Sequence, residues 1–179
     1  PCGGDVVGAD AVVPGGDFGA VAPFGIGGTA KAGLGADVGG QPGAQALLLI
    51  GHGPNSAEDY AAWMEHLRPI ADSVKAWTGF RDVRVDLVRD DAPAPVRAEA
   101  VRRVRELIEL QHMATGSDVI VVPVLVSKGS VSRDKVPNDI AGTRSVYVGE
   151  PLLPHAAMAR WVEARVREAA GEPSPADQR

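Results

Sequence analysis

Two apolar stretches, ALLLIGHG at residues 46–53 and VIVVPVLV at residues 119–126, decide how this chain folds. The first has five apolar residues in a row before Gly51, and the second is apolar throughout. Short continuous runs of this kind are typical of strands that are covered on both faces, as in the middle of a parallel sheet. Both stretches therefore predict central strands, the second beginning at Asp118.

Helical patterns follow the strand patterns along the chain. The first predicted helix begins at Ser56, with Asp59 in the position of a capping box, and the second opens at Pro93. A short helical segment is predicted over 132–141. The last helix starts at Pro154, and its apolar residues are Met158, Trp161, Val162 and Val166.

Two weaker strand patterns complete the series. Residues 83–87 alternate between apolar and charged side chains, and residues 145–148 form a short strand pattern. Four strand–helix units predict an α/β fold, a three-layer structure in which a four-stranded parallel sheet carries helices on both faces. Because continuous runs belong at the centre and alternating ones at the edges, the predicted strand order is 2-1-3-4.

Charge and cysteine content exclude several classes of protein. The net charge of −5 and the pI near 5.3 argue against a nucleic-acid binder with a basic surface. No apolar run approaches the roughly 18 residues that a membrane span needs. Cys2 is the only cysteine, so neither an intramolecular disulfide nor a cysteine-rich metal site is expected. The lack of a signal-peptide pattern favours a cytoplasmic location, and an exported mature form stays open.

Residues 1–44 differ in composition from the rest of the chain. They hold 14 of the 22 glycines and few apolar side chains, which is typical of an extended, flexible arm. Such an arm is ordered only against another surface, either a partner or its own domain. The predicted organisation is therefore an arm at 1–44, an α/β domain at 45–170 and a polar tail at 171–179.

Open parallel sheets bind their ligands beyond the carboxyl ends of the strands, where the strand order reverses. In the predicted order this point lies between the first and third strands. The residues that follow those ends are therefore candidates for a site: His52, Ser127 and Lys128, flanked by Asp90, Asp91 and Glu150.

Three motifs together resemble the CbiX-type class II chelatases over residues 45–170. They are the Gly-His-Gly at 51–53, the Val-Val-Pro at 121–123 with Ser-Lys-Gly after it, and Glu-Pro-Leu-Leu-Pro-His at 150–155. The resemblance implies a short-form sirohydrochlorin cobalto- or ferrochelatase, which inserts its substrate metal, Co²⁺ or Fe²⁺, into a tetrapyrrole. It also implies one domain per chain and a homodimer.

The resemblance gives His52 the central role, as a metal ligand and catalytic base. A neutral imidazole offers one nitrogen to such a metal, and metal insertion needs a base for the pyrrole protons. Without the resemblance, a histidine that bonds a neighbouring loop is the simpler interpretation.

The chain departs from the family pattern after the third strand. When Gly129 and Pro137 are aligned, Val131 stands where the family has a second histidine, and Lys135 stands where an acid is usual. Valine neither binds a metal nor accepts a proton, so the two-histidine site is incomplete. Glu150 is a candidate for the missing catalytic group, and an exposed loop acid is its alternative interpretation.

The same loop offers hydrogen-bond donors for the carboxylates of a tetrapyrrole. The candidate substrate-binding residues are Lys128, Ser130, Ser132 and Arg133. A solvated loop in which Ser132 caps a helix is the alternative.

Two hypotheses follow from the sequence. The first is a divergent chelatase that binds a tetrapyrrole or a divalent metal through His52, Glu150 and the basic loop. The second is a non-catalytic accessory subunit that residues 1–44 tether to a larger protein assembly. The motifs favour the first hypothesis, and Val131 favours the second.

Overall fold

The computed structural model describes residues 41–171 of the 179-residue chain. The predicted glycine-rich arm, except for its last four residues, and nearly all of the predicted polar tail lie outside the described residues. Pro42–Ala44 forms a short 3-10 helix. The backbone N–H of Arg81 donates to the carbonyl oxygens of Pro42 and Gln45, so the chain is already attached to the domain here.

The α/β fold is confirmed, and strands and helices alternate in the predicted order. The elements are β1 (Ala46–Gly51), α1 (Ala57–Thr78), β2 (Asp82–Leu87), α2 (Ala94–Thr115), β3 (Val119–Pro123), a π-helical turn (Val131–Lys135), α3 (Val136–Asp139), β4 (Ser145–Tyr147) and α4 (Ala156–Ala169).

The four strands form one parallel sheet in the order β2-β1-β3-β4, as predicted. All six residues of β1 are buried, in agreement with its continuous apolar run. The register pairs Gly51 with Leu87 and Ile50 with Pro123. The loops after β1, β2 and β3 therefore leave the sheet at the same edge.

Separate hydrophobic cores lie on the two faces of the sheet. One face packs against α2 and α3, where Leu48, Val104 and Val136 are fully buried. The other packs against α1, with Leu49 and Met64 at its centre. This division produces the three predicted layers.

Two apolar stripes, one on α1 and one on α4, are exposed to solvent. On α1, Trp63, Ile70 and Trp77 repeat at seven-residue intervals beside the buried stripe, and all three are exposed. Helix α4 buries none of its residues, and Trp161, Val162 and Val166 are exposed as well. Within residues 41–171, no helix is long and apolar enough to cross a membrane.

Asp86 is buried, whereas the alternating pattern of β2 predicts a solvent-exposed side chain. Both of its oxygens accept hydrogen bonds from Arg103 on α2, at 2.7 and 2.8 Å, and Tyr60 on α1 donates a third at 2.9 Å. The guanidinium of Arg103 also stacks on the Tyr60 ring. Because β2 is an edge strand, the two helices reach around it and satisfy the buried charge.

The predicted helical segment at 132–141 begins with a widened turn. The N–H of Val136 donates to the carbonyl of Val131, five residues earlier. Pro137 has no N–H to donate to Arg133, and its ring would crowd that carbonyl in an α-helix, which favours the wider turn. As a result Val131 and Val136 both pack against the core beneath α2.

Candidate functional site

The loop after β1 lies unusually close to the end of β2. A Cβ atom at Gly51 would lie 2.7 Å from Cδ2 of Leu87, and one at Gly53 would lie 2.7 Å from Cβ of the same residue. Gly53 also has a φ of 85°, which residues other than glycine rarely adopt. The two glycines therefore fix His52 in the space just beyond β1 and β2.

Arg89 joins the loops that follow β1 and β2. Its N–H donates to the carbonyl of His52 at 2.6 Å, and its guanidinium donates to the carbonyls of Pro54 and Asn55. Arg89 itself has a φ of 51°, in the left-handed region. This turn brings the next two residues, Asp90 and Asp91, beside His52.

The His52 ring is half-buried and has a contact at each nitrogen. Nδ1 lies 3.1 Å from the carbonyl oxygen of Gly53, and Nε2 lies 3.5 Å from Oδ2 of Asp91. Because a carbonyl oxygen only accepts, the tautomer that makes this hydrogen bond carries its proton on Nδ1 and has its lone pair on Nε2. The free lone pair therefore faces the Asp91 carboxylate.

Asp90 differs from Asp91 in both burial and partners. Its side chain is only 3% exposed, against 72% for Asp91. Oδ2 of Asp90 accepts from Lys135 at 2.6 Å, and Oδ1 accepts from Arg97 at 3.2 Å. Arg97 also donates to Asp139 at 2.9 Å. Asp90 is thus held between two cations, whereas the Asp91 carboxylate is open to solvent.

The pKa values of Asp90 and Asp139 shift in opposite directions. Burial alone would raise the pKa of Asp90, but the hydrogen bonds from Lys135 and Arg97 outweigh it and hold that pKa below its usual range. Burial dominates at Asp139, and its pKa is raised despite Arg97. Asp90 is therefore ionised at neutral pH, and each of its oxygens already accepts a hydrogen bond from a cation.

The arrangement fits a divalent metal ion. One ligand atom from each of His52, Asp90 and Asp91 lies within 4.8 Å of the other two. Two ligands at about 2.1 Å from one ion, in tetrahedral directions, are roughly 3.4 Å apart. The 3.5 Å between Nε2 of His52 and Oδ2 of Asp91 matches that spacing. An imidazole with an oxygen ligand also suits first-row metals.

The basic loop after β3 has both exposed and buried side chains. Lys128, Ser130 and Arg133 are exposed, and Arg133 pairs with Asp134. Ser132 is 1% exposed, and its hydroxyl exchanges hydrogen bonds with the backbone N–H and carbonyl of Gly129. It therefore stabilises the turn, and a contact between this residue and a substrate stays a prediction.

Glu150 and Val131 complete the set of predicted positions. Glu150 is exposed in the loop after β4 and is not part of the group formed by His52, Asp90 and Asp91. Val131, which was predicted to stand in the position of the family's second histidine, packs against the core. Its side chain therefore stabilises the fold and does not lie on the open side of the loop.

Asp90 and Asp91 were predicted only as flanking residues of the site, and Lys135 was treated as a departure from the family pattern. The parallel pairing of β1 with β2 was the signal that could have identified Asp90 and Asp91 as neighbours of His52. Gly51 and Leu87 are paired, so the residues that follow them must lie side by side. Nothing local in the sequence shows that Lys135 reaches Asp90.

The chain matches a known protein family over most of its length. The family model CbiX matches residues 46–169, which is more than half of the chain and includes every element from β1 to α4. A comparison with curated proteins finds no match.

Proposed function

Since the chain belongs to the CbiX family, we propose that it is a divergent chelatase that binds a divalent metal at His52 and Asp91 and inserts Co²⁺ or Fe²⁺ into sirohydrochlorin. The observation that carries the proposal is the 3.5 Å spacing between Nε2 of His52 and Oδ2 of Asp91. This spacing suits two ligands of one ion, and the family handles divalent metals and tetrapyrroles.

Two protein ligands are enough for a metal that must leave. A chelatase has to hold its metal loosely, because the tetrapyrrole nitrogens replace the protein ligands during insertion. One imidazole and one exposed carboxylate leave the remaining positions of the ion to water and then to the macrocycle. Tight, closed coordination would oppose the transfer.

Insertion also needs bases for the pyrrole protons. His52 regains its lone pair when the metal leaves and is then positioned to accept one proton. We assign Glu150 as a second base, because it follows β4 at the edge of the sheet where His52 lies. Lys128, Ser130 and Arg133 are donors for the substrate carboxylates, with Ser132 shaping their turn.

The test is anaerobic metal insertion, followed by the absorbance of sirohydrochlorin with Co²⁺ or Fe²⁺. Wild-type protein is expected to exceed the uncatalysed rate, and His52→Ala is expected to return to it. His66→Ala is a matched control, because His66 is exposed on α1. Wild-type activity equal to the uncatalysed rate would overturn the proposal.

The accessory subunit is the second candidate, and the position of Val131 favours it. This residue replaces the second histidine and packs into the core, so the family's two-histidine arrangement is absent from the described residues. The accessory role predicts background insertion rates and an assembly that persists in His52→Ala. It also predicts that removal of residues 1–40 releases the partner, which native mass measurements detect.

The oligomer is a further part of the proposal. The resemblance implies a homodimer, and the exposed apolar side chains of α4 offer a surface for a second copy. A larger hetero-complex held by residues 1–44 is the alternative.

A further inference from the structure

We propose that the ammonium group of Lys135 competes with the metal for Asp90 and thereby limits the metal site to two protein ligands. The inference rests on the proposed binding of metal at His52. It assigns to Lys135 the control of metal affinity, in a position where the family usually carries an acid.

The hydrogen bonds of Asp90 carry the first step. Each of its carboxylate oxygens already accepts from a cation, Oδ2 from Lys135 and Oδ1 from Arg97. An oxygen that accepts a charged hydrogen bond is a weaker ligand, because one of its lone pairs and part of its charge are already engaged. Asp90 therefore lies in the ligand group by distance but is withheld from it by its partners.

The two cations do not hold Asp90 in the same way. Arg97 is shared between Asp90 and Asp139 and is 27% exposed. Lys135 is 45% exposed and has Asp90 as its partner in the ion pair. The flexible, more exposed lysine is thus the cation that a metal can displace, whereas Arg97 is fixed by two carboxylates.

The turn that carries Lys135 is held in place by its contacts with the hydrophobic core. Val131 and Val136, one at the start of the π-helical turn and one just after it, both pack against the core. The backbone of Lys135 is therefore fixed, and only its side chain has freedom to leave Asp90. A change at this position alters charge without disturbing the turn.

Electrostatics gives the expected size of the effect. An ammonium group that contacts Asp90 repels a divalent ion at the neighbouring His52 and Asp91. Removal of that charge both ends the repulsion and frees an oxygen of Asp90 as a third ligand. At a partly exposed site we expect Co²⁺ to bind about tenfold more tightly.

The experiment is a Co²⁺ titration of the full chain, followed by the visible ligand-field absorption of the bound ion. Lys135→Gln is expected to bind about tenfold more tightly than wild type, with a changed visible absorption as an Asp90 oxygen replaces a water ligand. Lys135→Arg keeps the charge and is expected to bind like wild type. Arg144→Gln is a matched control, because it removes one positive charge at the opposite edge of the sheet, where β4 begins.

A double variant tests the mechanism. In the Asp90→Asn background the third oxygen ligand is already lost, so Lys135→Gln is expected to tighten binding much less than it does in wild type. Equal tightening in both backgrounds would show a general charge effect and would overturn the role of Asp90.

The outcomes separate this inference from the proposed function. Wild-type binding that requires His52 but does not change in Lys135→Gln overturns the inference and leaves the proposed function standing. An absence of Co²⁺ binding in every folded variant overturns both. Thermal unfolding of each variant identifies any that fail to fold, and Lys135→Met then replaces Lys135→Gln.

Discussion

Nε2 of His52 lies 3.5 Å from Oδ2 of Asp91, at the shared edge of two neighbouring parallel strands. The two side chains come from the loops after β1 and β2, which Arg89 joins through three hydrogen bonds to backbone carbonyls. The backbone positions of His52 and Asp91 are therefore held rigidly relative to each other, and the exposed Asp91 side chain sets the final distance. This rigidity makes the pair suitable for quantitative tests.

Asp91→Asn is expected to weaken Co²⁺ binding about tenfold, because an amide is a weaker ligand than a carboxylate and carries no charge. The side chain is 72% exposed, so the free energy of unfolding is expected to change by less than about 0.5 kcal/mol. Isothermal titration and thermal unfolding measure the two quantities. Asp118→Asn, an exposed acid at the other end of the sheet, is the control, and equal losses in both variants would refute the assignment.

Gly53→Ala is expected to destabilise the protein by about 3 kcal/mol. The new Cβ would lie 2.7 Å from Cβ of Leu87, and φ is 85°. Gly79→Ala separates the two causes, since Gly79 has a φ of 72° but no atom within 4 Å of the position that a Cβ would take. It is expected to cost only about 1 kcal/mol. Equal costs in denaturant unfolding would show that the close approach of β1 and β2 has no energetic weight.

The two tyrosines of the chain are expected to ionise only in strong alkali. Burial, followed by the charge of Asp86, raises the pKa of Tyr60 to about 12. Burial alone raises the pKa of Tyr147 to about 12. Because both values exceed the unfolded value of about 10, this contribution to stability is complete below pH 10 and is lost as the pH rises toward 12.

Phenolate absorbance tests this directly. The native protein is expected to show almost no phenolate at pH 10, where the denatured chain is about half ionised. Tyr60→Phe is expected to lower the free energy of unfolding by about 1 kcal/mol through the lost hydrogen bond to Asp86. Native tyrosines that titrate near pH 10 would contradict the buried environments of both residues.

Trp161→Glu is expected to shift the native mass from dimer to monomer while it leaves the melting temperature of the monomer nearly unchanged. Helix α4 buries no residue within the chain, and Trp161 is 57% exposed. Trp77→Glu is the matched control on α1, where the tryptophan is 73% exposed. Light scattering after size exclusion measures the mass. A shift caused equally by both variants would argue against α4 as the specific interface.

The sequence predicts the sheet well because its signals are local. The continuous runs that begin at Ala46 and Val119 identify the central strands, and the capping pair Ser56 and Asp59 marks the start of α1. The prediction for Asp86 was wrong, because the partners that make its burial favourable come from two helices. A strand pattern contains no information about partners on distant elements.

The candidate site was predicted in part for the same reason. His52 follows from the first strand and its two glycines, which a short segment reveals. The pairing of Lys135 with Asp90 joins residues 45 positions apart, and it depends on the widened turn that Pro137 favours. Long-range ion pairs of this kind require the three-dimensional fold.

The residues proposed to bind the metal and the cation proposed to compete with it lie in different halves of the domain. His52, Asp90 and Asp91 all belong to the first β-α-β unit and the loop after it, whereas Lys135 arrives with the turn after β3. Under this proposal, a substitution within that later turn changes metal affinity and leaves the ligand-bearing unit intact. Affinity for the ion and the residues proposed to hold it are then separable by a single substitution at Lys135.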